Sequence, residues 1–116
     1  MHAAYVSVTI ATIVITAVAA TVDFIRFAPL LDTMARVKVP ESWLRPLGLL
    51  KAAGAMGLLL GLSGVPAIGE AAAIGLILFF TGAFVTHIRA GEYRSMAFPG
   101  VFFVMAVTTL ALTVAV

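Results

Sequence analysis

Cysteine is absent and charge is scarce, and each shortage removes a class of function. With no thiol among 116 residues, the chain offers no disulfide, no thiolate nucleophile and no Cys-ligated metal or iron–sulfur centre, while the redox compartment stays open. Charged residues make up 10% of the chain, against about 25% in an ordinary soluble domain. Seven basic and five acidic side chains are too few to track a phosphate backbone, so nucleic acid is not an expected partner. Histidine occurs only twice, as His2 and His87. The two fall on opposite sides of the chain's expected arrangement, so no metal site is expected. What is abundant is apolar surface, at 63% of residues. A chain this short cannot bury that much around one water-soluble core, and disorder is excluded because disordered segments are poor in hydrophobic residues. Lipid is the remaining solvent, and the bilayer the first expected partner.

A spanning helix needs about 20 mostly apolar residues. Four runs qualify: Ala3 to Val22 without a charge, Pro46 to Leu62 with Lys51, Pro66 to Ile88 with Glu70 and His87, and Ser95 to Val116 without a charge. The expected fold is all-α, a four-helix transmembrane bundle formed by a single domain over residues 1–116, with helices over about 3–28, 44–62, 66–89 and 95–116. Pro29, Pro40, Pro46, Pro66 and Pro99, with Ser63-Gly64-Val65 and Ala90-Gly91-Glu92, punctuate these runs. Ala17-Val18-Ala19 has the small residues of a signal-peptidase site. The first basic residue is Arg26, however, beyond the apolar run, so the segment reads as a span. Arg26, Arg36, Lys38 and Arg45 lie on or beside the first loop and Arg89 and Arg94 on the third, while the second loop and both ends carry no Lys or Arg. That bias places the first and third loops in the cytoplasm and both termini on the non-cytoplasmic side. The expected location is multi-pass in a bacterial plasma membrane.

The few polar groups inside these runs are the candidates for chemistry. At 100° per residue, Tyr5, Thr9, Thr12, Thr16 and Asp23 fall within about 40° of one line. This polar seam is either helix-contact glue or the lining of a pocket. Arg26 stands within reach of Asp23 along the helix. Lys51 lies six residues past Arg45, about 9 Å of helix rise. It either snorkels to the headgroups or turns inward on a face with Gly48 and Ala55. An inward lysine needs an acidic partner, and Asp23 enters the same layer. His87, with Phe80, Ala83 and Phe84 on its side, either exchanges protons or hydrogen-bonds at the interface. Gly75 and Gly82, continued by Ala71 and Thr86, predict a close-contact stripe. Glu70 reads as a helix-start cap, and Phe102, Met105, Thr109 and Thr113 as a packing face. Trp43 and Tyr93 are expected interfacial anchors.

The run Leu47-Gly48-Leu49-Leu50-Lys51-Ala52-Ala53-Gly54-Ala55-Met56-Gly57, followed by Pro66, Ala71-Ala72-Ala73-Ile74-Gly75-Leu76 and Gly82-Ala83-Phe84-Val85-Thr86-His87-Ile88-Arg89, resembles the DoxX-like family of small four-helix membrane proteins. The resemblance covers roughly Pro46 to Gly100, the first helix matching in position and character. It implies a compact four-helix bundle and an association with membrane oxidoreductase systems, including a subunit linked to thiosulfate and quinone. It also implies that Lys51 and His87 occupy recurrent polar positions of the family, although many members carry an acidic residue where Lys51 stands.

The expected function is therefore binding of a lipophilic small molecule, quinone- or isoprenoid-like, in a pocket within the bundle that opens toward the cytoplasmic leaflet. Asp23, Lys51 and His87 are the candidate catalytic groups at its polar end. Tyr5, Thr9, Thr12, Thr16, Phe80, Phe84 and Arg89 are the candidate ligand-binding residues. Such a protein serves either as a subunit beside a membrane oxidoreductase partner or as a small acid–base enzyme, and the sequence names no cofactor. Two alternatives stand beside it. One is a proton-coupled small-molecule exporter, which the length suits; four-helix exporters of this size carry a glutamate in the middle of the first helix, where this chain has Thr12 to Thr16. The other is a structural or assembly partner of another membrane protein.

Overall fold

The computed structural model describes residues 2–25, 28–93 and 96–115. Among them the chain forms five α helices and no strand: α1 (His2–Phe24), α2 (Ala28–Arg36), α3 (Leu44–Leu62), α4 (Pro66–Ala90) and α5 (Ala97–Ala115), with a 3-10 turn at Glu41–Trp43 before α3. The four long helices close a ring, α1 packing on α3 and α5, and α4 on α3 and α5. The particle is 40 Å along its longest axis, close to the thickness of a bilayer with its headgroups, about 40–45 Å.

Polarity runs the opposite way from a soluble bundle. The buried face of α1 is Tyr5, Thr9, Thr12, Thr16, Ala20 and Asp23, spaced three or four residues apart as one helix face requires. The outward faces carry Ile10, Val14, Val18, Leu50, Leu78 and Val104. The apolar cluster at the centre is small, Leu58, Ala73, Leu76, Phe80 and Ala106 with partly buried neighbours such as Ile13 and Phe102. Polar side chains inside and branched aliphatics outside are stable where the surroundings are hydrocarbon. α1, α3 and α4 are each long and apolar enough to cross a membrane, and α5 contributes a shorter apolar stretch, Pro99–Ala115.

Two expectations need correction. The first helix does not continue to residue 28: it ends at Phe24, and where a loop was expected a second helix, α2, begins at Ala28. Nine residues cannot span, and a search for runs of about 20 apolar residues passes over them. α2 forms because it is amphipathic, with Met34 and then Val37 buried one turn apart. Among the described residues the helix count is therefore five, four long helices and the short α2. The close-contact stripe also lies elsewhere. A methyl group added at Gly75 or Gly82 meets nothing within 4 Å, whereas one at Gly54 would stand 2.6 Å from Leu76, at Gly57 2.6 Å from Ala72, and at Gly61 2.7 Å from the Gly69 backbone. The glycines that draw α3 and α4 together are those of α3, meeting Gly69 on α4. At the turn between these helices Gly64 adopts φ +121°, a conformation that side-chain-bearing residues avoid.

The two glycine sets predict opposite outcomes. Gly61→Ala forces α3 and α4 apart and lowers stability by about 1–3 kcal/mol. Gly82→Ala gains helix propensity and raises it by up to about 1 kcal/mol. Equilibrium unfolding of the two variants in the same detergent checks the signs.

Candidate functional site

The site is built where α1 ends against the start of α3. Gly48 is buried there, and an added methyl would lie 3.1 Å from Asp23 Cβ and 3.2 Å from the Phe24 ring. The absence of a side chain at Gly48 lets α1 approach closely enough for the next turn of α3 to reach Asp23. Lys51 Nζ donates a hydrogen bond to Asp23 Oδ2 at 2.9 Å. The two side chains are 14% and 3% exposed, so the lysine is turned into the bundle and does not snorkel. Its ammonium also lies 5.5 Å from the centroid of the Phe79 ring on α4, within reach of a cation–π attraction. Arg26, the expected neighbour of Asp23, lies outside the described residues.

Above this pair the seam of α1 is filled, not hollow. Thr12 donates to the Val8 carbonyl at 2.8 Å and shares a 3.0 Å contact with the Thr109 hydroxyl of α5. Because the Thr12 proton is engaged on its own helix, Thr109 is the donor of that interhelical bond. Thr113 turns back to the Thr109 carbonyl at 2.7 Å. Among the described residues the hydroxyls of Thr9 and Thr16 are buried without a partner, while Tyr5 is buried nearer the start of α1 and its ring meets that of His2.

The remaining candidates are dispersed. Phe80 stacks on Phe102 at 5.0 Å and Phe84 meets Phe103 edge-on at 5.4 Å, both against α5. His87 is buried, and its Nδ1 donates to the Ala83 carbonyl at 2.8 Å, which fixes the tautomer of a neutral ring as Nδ1–H. It stands eight residues beyond Phe79, about 12 Å of helix rise. Among the described residues no hydrogen bond or ion pair joins it to Asp23 or Lys51. Arg89 is exposed at the far end of α4. Glu70 is half-buried in the second turn of α4, and Trp43 and Tyr93 are exposed. Among the described residues no three His, Asp or Glu side chains gather as a metal site would need.

An apolar groove of about 470 Å³ runs between α3 and α4, lined by Leu50, Ala53, Gly54, Ala72, Gly75, Leu76, Leu78 and Phe79. None of the candidate ligand-binding residues belongs to it, and sequence reasoning missed it. Its signal was the small residues Ala53, Gly54, Ala72 and Gly75, which thin two facing helices beside one aromatic ring. Phe79 joins the two features, as a wall of the groove and as the ring under the Lys51 ammonium.

A ring of long helices with apolar outer faces and one buried ion pair defines a small helical membrane protein. The DoxX-like family model matches residues 7–109, and the chain belongs to that family. The match takes in α1 as well as the region from Pro46 to Gly100, and so includes Asp23, Lys51 and His87. No curated protein and no solved structure matches the chain at significance.

The seam predicts a contrast between two threonines. Thr12→Val breaks the α1–α5 hydrogen bond and costs about 0.6–1.7 kcal/mol, the range for interhelical bonds in membranes. Thr16→Val removes a buried hydroxyl that bonds to nothing in the protein, so stability holds or rises by about 1 kcal/mol. Unfolding free energies in one detergent, taken for both variants, check this.

Proposed function

We propose that this protein holds a lipophilic molecule in the α3–α4 groove, with the molecule's polar head at the Lys51–Asp23 pair. The observation that carries the reading is the sharing of Phe79 between the groove and the Lys51 ammonium. A groove of this size is within the range of ligand pockets, about 300–1,000 Å³, and its apolar lining suits an isoprenoid or alkyl tail. The partly buried ammonium is the hydrogen-bond donor that a quinone or other carbonyl-bearing head requires. A charged side chain costs about 2.5–3.5 kcal/mol to place in a bilayer, which is itself a reason to read Lys51 and Asp23 as functional.

In this reading the protein lies in a bacterial plasma membrane as four spans, α5 being the fourth, with both ends on the non-cytoplasmic side. The one-sided Lys and Arg distribution supports that orientation. The protein presents its ligand to a membrane oxidoreductase partner. Binding is favoured over catalysis because His87, the natural proton carrier, is bonded to its own helix away from the groove. Asp23 and Lys51 are then the groups that can move a proton at the ligand head, and the hydroxyls of Thr9 and Thr16 are held apart from it inside the seam.

The test is saturable binding of decylubiquinone and of farnesol to the protein in nanodiscs. At least one probe is expected to bind, and Gly75→Leu, which fills the groove without displacing any atom within 4 Å of the new Cβ, should weaken binding about tenfold or more, a loss of about 1.4 kcal/mol. Unchanged binding in Gly75→Leu, or no saturable binding of either probe, contradicts the reading.

A further inference from the structure

At the end of α4 farthest from the α3–α4 turn, a second hollow of about 380 Å³ is walled by residues 37–40 and Trp43 on one side and by Thr86, Arg89 and Ala90 on the other. Two cationic residues line it. Lys38 and Arg89 are both exposed, and neither is ion-paired with a described residue, the described pairs being Arg36–Glu92 and Lys51–Asp23. The hollow is therefore lined by two cationic residues that no described carboxylate pairs with.

The backbone at Lys38 sharpens the case. α2 closes with the Lys38 N–H on the Ala35 carbonyl at 3.2 Å and the Val39 N–H on the Met34 carbonyl at 2.9 Å. This places Lys38 at the position of a helix end where glycine is usual. Lys38 has φ +61°, the left-handed region, and among the described residues it is the only non-glycine to do so. A lysine here accepts strain that glycine would avoid, and the residue lines the hollow. The segment is also fastened at both ends. Met34 and Val37 are buried, and Arg36 reaches Glu92, just past α4, at 3.5 Å.

We propose that this hollow binds the phosphodiester headgroup of an anionic phospholipid, with Lys38 and Arg89 taking the phosphate oxygens. Three features select a lipid over a free anion. The hollow lies at the end of a membrane-length helix, where the headgroups of a spanned bilayer would stand. Its walls combine the two cations with the apolar side chains of Val37, Val39 and Pro40, which suit a glycerol backbone. Trp43, 55% exposed, brings to its rim the aromatic residue favoured at the membrane interface. The site is separate from the groove, since Arg89 stands ten residues, about 15 Å of rise, beyond Phe79. The inference rests on membrane insertion alone and survives failure of the quinone reading.

Thermal unfolding in a neutral detergent tests it, with phosphatidylglycerol, phosphatidylcholine and inorganic phosphate added separately. Phosphatidylglycerol is expected to raise Tm by about 3 °C or more through binding to the folded state, and the other two to leave it unchanged. Lys38→Gly relieves the backbone strain while deleting the charge, so it should be at least as stable as the parent without lipid and yet lose the phosphatidylglycerol shift. Arg89→Gln should lose it too. Arg45→Gln, in the first turn of α3 at the same end of the bundle but outside the hollow, should keep it. The proposal is overturned if phosphatidylglycerol gives no shift, if Lys38→Gly keeps the shift, if Arg45→Gln loses it equally, or if inorganic phosphate alone reproduces it.

Discussion

One ion pair, Lys51 on Asp23 at 2.9 Å, sets the terms for the rest of the molecule. A lone charged side chain costs about 2.5–3.5 kcal/mol at the middle of a bilayer and less toward its edge, where Asp23 closes α1. Together, with the Phe79 ring beside the ammonium, each answers the other's charge in surroundings that offer little water. The pair needs α1 and α3 to approach closely, which is why Gly48 stands beneath it. It needs α4 in register to bring Phe79 alongside, which the Gly54, Gly57 and Gly61 contacts provide. Small residues on α3 thus place the charges as well as packing the helices.

The same constraint explains the inverted polarity of the bundle. With hydrocarbon outside, burial of leucine gives no advantage, and helix association depends on close packing and hydrogen bonds. The threonines of α1 and α5 supply one such bond across the interface, Thr109 to Thr12, and leave two hydroxyls of the seam without a protein partner. Outward leucines and valines need no cover. The scheme is interrupted at two places, the groove beside the ion pair, where small residues leave space, and the hollow at the end of α4, and these are where we propose that ligands bind.

Much of the fold was legible because lipid imposes a length. Four apolar runs were visible, and their boundaries match α3, α4 and α5 to within about two residues, as helix ends allow. The seam of α1 was legible for the same reason as any helix face: a period of 3.6 places Tyr5, Thr9, Thr12, Thr16 and Asp23 together. α2 was hidden because nine amphipathic residues carry no span signal. The sequence points to close contact on both helices, because Gly75 and Gly82 share a face of α4 as plausibly as Gly54, Gly57 and Gly61 share one of α3. Only the facing partner distinguishes them, and one sequence does not show which faces meet. The groove was missed because a space between helices has no residue type of its own. His87 has a depth in the sequence, but its hydrogen bond to Ala83 depends on a side-chain rotation that depth does not determine.

A double-substitution cycle on the ion pair tests the account most directly, comparing the unfolding free energies of Asp23→Asn, Lys51→Met and the double variant in bilayer-like lipid. The account predicts that each single change costs about 3 kcal/mol or more by leaving one buried charge alone, and that the double variant recovers most of that loss. Small, additive losses in the single variants would show that the two charges do not depend on each other, and would contradict it.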